Sequence, residues 1–210
     1  AKGRKTGLNL PALPQHHSAK HIMDNPQNTH EDYLNLAVAI AREHMAAGAG
    51  GPFGAVIVRD HTVIGQGWNR VTSDHDPTAH AEVSAIRDAC RNVGKCSLEC
   101  AVIYTSFEHC PMCLGAIWWA RIETIFFASD RNDAARIGFD DAALYREVSL
   151  ELPDRQLPLV RHPLAAADQL MEDWLKKPAL LSADSNAQYS EIIEINLNEL
   201  KEPVLACPND

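Results

Sequence analysis

The sequence predicts an α/β fold in which a partly parallel sheet lies between helices, within one globular domain. Two adjacent apolar runs, 53–59 and 62–68, are separated by only two polar residues and read as a hairpin. Strand and helix patterns then alternate after residue 70, which favours parallel neighbours joined by crossover helices. With 210 residues and 46% hydrophobic content, the chain can bury one good core and little more.

Residues 1–28 carry Pro11, Pro14 and Pro26 and a His16, His17, His21 cluster without helical or strand periodicity, so they are expected to form an extended or disordered arm. The globular part is expected to span 29–177. Thr29 with Asp32 three residues later forms a capping box, and Tyr33, Leu36, Ala37, Ile40 and Ala41 recur at helical spacing until the glycines after Ala46. Asp60-His61 is the hairpin turn between the two strands. His80 to Cys90 follows as a helix with Val83, Ile86 and Ala89 inward and Gly94 beyond its end. Ala101–Ser106 is a buried strand by its β-branched and apolar content, and Thr124–Ser129 another. A helix from Cys110 to Ala120 lies between them. Ala165–Lys177 reads as a last helix with Leu170, Trp174 and Leu175 inward. Residues 178–210 are a C-terminal extension in which Ile193, Ile195 and Leu197 suggest a short strand.

A formal charge of -9, from 19 basic and 28 acidic residues, leans away from a long polyanionic partner and toward a small neutral substrate. No apolar run is long enough to cross a bilayer and no secretory signal is visible, so a cytoplasmic location is expected. The six cysteines are even in number, yet a chain this long needs no disulfide staples. Cys90, Cys96 and Cys100 are expected to be buried free thiols. The tight Cys110-Pro-Met-Cys113 pair points instead to metal or redox chemistry.

His80-Ala-Glu82 and Cys110-Pro-Met-Cys113 carry the chemistry. One imidazole and two thiolates supply the three protein ligands of a catalytic zinc site, which keeps its fourth position for water. A structural zinc would need a fourth protein ligand, and none stands at suitable spacing. Both motifs fall at expected helix starts, where the positive end of the helix dipole favours thiolates. Glu82 lies two residues past the histidine, beside the metal rather than on it, where it can move protons. H-x-E followed by P-C-x-x-C is the known signature of zinc deaminases that act on nucleobases, and the chain carries it except for the proline before the first cysteine. One zinc ion per chain is expected.

Longer stretches resemble the bacterial guanine deaminases of the cytidine/deoxycytidylate deaminase superfamily. They are Gly50-Gly-Pro-Phe-Gly-Ala-Val56, Pro77-Thr-Ala-His-Ala-Glu-Val-Ser-Ala-Ile-Arg87, Tyr104-Thr-Ser106, Cys110 to Arg121, and Ile137-Gly-Phe-Asp-Asp141. The likeness runs over roughly 30–150. It implies a three-layer α/β/α sandwich with a central five-stranded mixed sheet, a homodimer with exchanged C-terminal segments, and hydrolysis of guanine to xanthine and ammonia. It also implies that Asn69 hydrogen-bonds the purine, Phe53 lines the base site and Asp141 recognises the guanine edge. Taken alone, the same residues read as a turn cap, a core ring and a helix cap.

The chain departs from that pattern at His109, where these deaminases carry proline. Histidine loosens the approach to the metal loop, and a ligand, a substrate contact or a solvent-facing role remain open for it. A C-terminal aromatic that closes the pocket in some members has no clear match, Tyr189 being the nearest tyrosine. The alternatives kept open are a deaminase of guanosine or another aminopurine or pterin, a tRNA adenosine deaminase, and an inactive zinc-stabilised binding protein.

Overall fold

The computed structural model describes residues 27–176, which fall into two compact units parting between Ser149 and Leu150. The N-terminal arm up to residue 26, Cys207, Tyr189 and the strand suggested at 193–197 lie outside the described residues.

Helix α1 (His30–Ala46) begins on the expected capping box: Thr29 accepts from the Asp32 amide, and the Asp32 carboxylate accepts from the Thr29 amide. Strands β1 (Gly54–Arg59) and β2 (Thr62–Trp68) pair antiparallel around Asp60 and His61. Both turn residues have positive φ, 51° and 63°, the twist that a two-residue hairpin requires. A short helix α2 (Val71–Asp74) leads to α3 (Ala81–Val93), closed by Gly94 in the left-handed conformation as expected. Strand β3 (Val102–Phe107) pairs antiparallel with β1 and parallel with β4 (Thr124–Ser129); helix α4 (Pro111–Trp119) connects them. Helices α5 (Arg131–Arg136) and α6 (Ala142–Ser149) complete the first unit.

The sheet is mixed, with strand order β2-β1-β3-β4, and helices cover both faces. Ala55, Ile57 and Ile103 pack against Ala81, Ala85 and Ala89 of α3 and Ile117 of α4. Val56, Val58 and Tyr104 point the other way, onto Tyr33, Leu36 and Ile40 of α1. The α/β class holds, but the described residues contain four strands, not five. Directly after β4, Asp130 and Asp133 form a reciprocal capping box that turns the chain into α5.

Three other expectations are corrected. Ala89 of α3 is buried as expected and Ile86 packs against the core, but Val83 is only half-buried, and Ala81 and Ala85 complete the buried stripe. This face was set by its partner, because β2 presents Gly65 and Gly67 and small residues let the two backbones meet. A Cβ on Gly67 would lie 2.4 Å from both the Ala81 carbonyl oxygen and the Ala85 nitrogen. Secondly, Cys90, Cys96 and Cys100 are free thiols as expected, but Cys90 is half-buried and the other two are exposed, since they lie at the end of α3 and in the following loop. In the second unit, α7 (Ala165–Lys176) forms, yet its apolar face is open: Leu170 is 71% and Leu175 77% exposed, and Trp174 is exposed as well.

Candidate functional site

Strands β2, β3 and β4 run in one direction and β1 runs against them, so Phe53, Asn69 and the starts of α3 and α4 all emerge at one end of the sheet. His80 is the N-cap residue of α3 and Cys110 that of α4, both with extended backbone. The His80 carbonyl accepts from the Ser84 amide at 2.9 Å and the Cys110 carbonyl from the Leu114 amide at 3.0 Å. Pro111 at the first helical position of α4 has no amide to leave unpaired. Each ligand side chain is therefore fixed by the first turn of a helix.

The donor atoms form a nearly regular triangle. Cys110 Sγ is 3.6 Å from His80 Nδ1 and 3.6 Å from Cys113 Sγ, and Cys113 Sγ is 3.5 Å from His80 Nδ1. A tetrahedral zinc with ordinary Zn–S and Zn–N bonds needs edges of about 3.6–3.8 Å, so the residues fit the ion and leave one corner open. His80, Cys110 and Cys113 are thus positioned to bind one metal ion.

Protons are already shared within this cluster. Hydrogen bonds from Cys113 and then His80 pull the Cys110 thiol down to about 4, despite burial. Cys113 moves the other way, because it donates to Cys110 and is buried. His80 is raised, chiefly by its contact with Cys110. Cys110 is thus the more acidic of the two thiols, and a metal would take both sulfurs as thiolates and His80 as a neutral imidazole.

Glu82 stands in the first turn of α3 and is 7% exposed, one of few polar side chains in the core. Burial raises its pKa, with the Cys110 charge adding and His80 opposing; it also reaches hydrogen-bonding contact with Cys113. A bound cation acts in the opposite sense and favours the carboxylate.

Phe53 is half-buried and meets Phe107 and Phe139 edge-on, with centroids at 5.1 and 4.8 Å. The Asn69 amide N–H donates to the Phe53 carbonyl at 3.1 Å, and the Asn69 side-chain oxygen accepts from the Val71 amide at 3.2 Å. The capping role foreseen for Asn69 is therefore real and occupies only part of its amide. Asp141 is half-buried, and its pKa is raised by burial and then by the Cys110 charge. The carboxylate that accepts from the first amide of α6 is Asp140's, which leaves Asp141 uncommitted to that cap.

His109 is half-buried and its Nδ1, buried, has no hydrogen-bond partner among the described residues; it is not one of the clustered metal donors. Sequence reasoning missed the residues around it. Tyr145 donates to the His109 carbonyl at 2.7 Å, and Arg131 pairs with Glu108. These partners stand 36 and 23 residues apart in the chain, and no local pattern announces them.

Fold and site together define a class: a deaminase-type zinc hydrolase with one histidine and two cysteines at paired helix starts and a glutamate alongside. The chain belongs to the cytidine and deoxycytidylate deaminase family, whose zinc-binding region matches residues 27–129. It is a homologue of the guanine deaminase of Bacillus subtilis (strain 168), 48% identical over 145 residues, covering 69% of this chain and 93% of that one. The X-ray structure of that Bacillus subtilis protein superposes with a TM-score of 0.71 at 44% identity, over 74% of this chain and 99% of the other. A tRNA-specific adenosine deaminase of Haemophilus influenzae (strain ATCC 51907 / DSM 11121 / KW20 / Rd) is 37% identical over 117 residues, 53% of this chain and 67% of its own.

Proposed function

We propose that this chain hydrolyses guanine to xanthine and ammonia, with Glu82 as the proton carrier and Asn69, Phe53 and Asp141 holding the base. The observation that carries the reading is the 3.5–3.6 Å triangle of His80, Cys110 and Cys113 with a buried carboxylate in contact with it. The guanine deaminase relative favours guanine over a tRNA substrate, being 48% identical to this chain where the tRNA-specific one is 37% identical.

A zinc ion held by His80, Cys110 and Cys113 would supply Lewis acidity that lowers the pKa of water to about 7. Glu82 takes the proton released as water oxygen adds to C2 of guanine. It passes that proton to the neighbouring ring nitrogen, then takes a second from the new C2 hydroxyl and gives it to the 2-amino group, which leaves as ammonia as the C2 carbonyl forms. The Phe53 ring offers its face to the flat purine. The Asn69 amide still has two N–H donors and part of its oxygen for the ring edge, and the Asp141 carboxylate accepts from the N–H groups that distinguish guanine.

The working unit in this proposal is a homodimer in the cytoplasm. Helix α4 leaves Trp118 78% exposed, with Trp119 and Leu114 beside it, more apolar surface than one short helix ordinarily shows to water. Exchange of the segment from residue 178 onward between copies is part of the proposal, and that segment lies outside the described residues. A reducing compartment suits the site, since the metal takes its two sulfurs as thiolates.

The deciding experiment measures ammonia release from guanine, guanosine, adenine, cytosine, cytidine and a tRNA anticodon stem, with Glu82→Gln alongside. Guanine should be the preferred substrate, and Glu82→Gln should keep its zinc while losing turnover by about 10²–10⁴-fold. Release confined to the tRNA would overturn the substrate, and an active Glu82→Gln would overturn the proton carrier.

A further inference from the structure

The segment Glu108-His109-Cys110, which delivers the first sulfur ligand, is tied to two later helices by contacts that the metal site itself does not require. Glu108 continues the β3–β4 pairing, its amide donating to the Ser129 carbonyl at 2.8 Å. Its carboxylate is only 15% exposed and accepts three N–H groups of Arg131: the backbone amide at 3.0 Å, Nε at 3.1 Å and Nη2 at 2.7 Å. Arg131 is itself fixed as the first residue of α5 by the Asp130–Asp133 capping box. From α6, the Tyr145 hydroxyl donates to the His109 carbonyl at 2.7 Å. The Arg131 guanidinium carbon lies 4.1 Å from the centre of the Tyr145 ring, which joins the two anchors.

We propose that Glu108, Arg131 and Tyr145 form a clamp that holds Cys110 in ligating position and so sets how tightly the site retains its metal. The usual motif has proline directly before the first cysteine, where the ring stiffens the backbone. This chain has His109 there, and its carbonyl is the atom the clamp grips. The demand is stringent, because metal–ligand distances tolerate only about 0.2 Å and a swing at His109 displaces Cys110 directly. Glu108, Arg131 and Tyr145 are positioning residues that act through Cys110.

The clamp rests on His80, Cys110 and Cys113 holding the zinc, and the test separates the two ideas. Purified wild-type protein, Tyr145→Phe and Arg131→Lys are loaded with zinc, and release to a chromophoric chelator is timed. The thiolate-to-cobalt absorption bands are recorded on cobalt-substituted samples. Tyr145→Phe removes one hydroxyl and keeps the ring under Arg131. It should release zinc about 10–100-fold faster and shift the cobalt bands. Arg131→Lys keeps the charge but loses the fork on Glu108, and should change both in the same direction by less. Adding His109→Pro to Tyr145→Phe should restore slow release. Wild-type release rates and unchanged bands in Tyr145→Phe would overturn the clamp alone; wild-type protein that binds no zinc would overturn the metal assignment beneath it.

Discussion

Gly67→Ala tests whether close backbone contact between β2 and α3 places the catalytic groups. The added Cβ would stand 2.4 Å from the Ala81 oxygen, 2.4 Å from the Ala85 nitrogen and 2.9 Å from the Ser84 carbonyl carbon. Ordinary contact begins about 1 Å further out, so α3 must retreat by roughly that distance. All three obstructing atoms are backbone, and truncating a neighbouring side chain gives no relief. Overpacking of this kind costs about 1–3 kcal/mol, which lowers the melting midpoint of a chain this size by about 2–12 °C. The end of α3 that must move carries His80 and Glu82, and a displacement near 1 Å costs about 10²-fold in rate. Gly65→Ala is the matched comparison. Its Cβ would meet the Ala89 nitrogen at 2.6 Å and the Ala85 oxygen at 2.7 Å, about two helical turns from the catalytic end. The two variants should lose similar stability in thermal melts, while ammonia release falls much further in Gly67→Ala. Equal losses of activity, or a Gly67→Ala protein that melts like wild type, would refute the reasoning.

Two further outcomes are expected. Glu82 is a buried acid whose folded pKa is raised above its ordinary value of 4.5, so zinc-free folded protein holds a proton that the unfolded chain has released. Stability of the zinc-free protein should therefore fall as pH rises from 4.5 through the raised value. Zinc-free Glu82→Gln should melt higher than wild type at neutral pH and lose that advantage in acid; melts that coincide at all pH values would refute it. Trp118→Glu should turn the proposed dimer into a monomer by light scattering, and a dimer that survives would remove the α4 face as the interface.

The parts of the site that were legible in the sequence are those fixed within a few residues. A histidine or cysteine at a helix start keeps its place because the cap geometry is local, which is why His80-Ala-Glu82 and Cys110-Pro-Met-Cys113 could be placed before any fold was known. The same holds for the Thr29–Asp32 cap and the Asp60-His61 turn. Features set by a distant partner were not legible. Apolar size pointed to Val83, Ile86 and Ala89 as the inward face of α3; Ala89 is buried and Ile86 packs against the core, but the rest of the buried stripe is Ala81 and Ala85, because β2 offers glycines to meet them. In principle Gly65-Gln-Gly67 and the spacing of Ala81, Ala85 and Ala89 held that signal. Nothing in the sequence around Arg131 or Tyr145 pointed to Glu108 or His109, since those pairings exist only once α5 and α6 have turned back toward the end of β3.

That dependence explains why a single end of the sheet can collect chemistry from so many parts of the chain. Because β2, β3 and β4 share one direction, each strand delivers its following segment to the same end: Asn69 after β2, Cys110 after β3, Arg131 after β4. Strand β1 runs the other way and so contributes the residue before it, Phe53. Helices α3 and α4 then start there with their amide ends toward the sulfur cluster, and this adds to His80 in favouring anionic sulfur. In open α/β sheets ligands bind at such ends, where strand ends and helix starts coincide. The metal triangle, the buried carboxylate and the clamp are consequences of that one direction shared by three strands. A change that shifts α3 across β2 should therefore damage the reaction more than an equal loss of packing at the far end of the same helix.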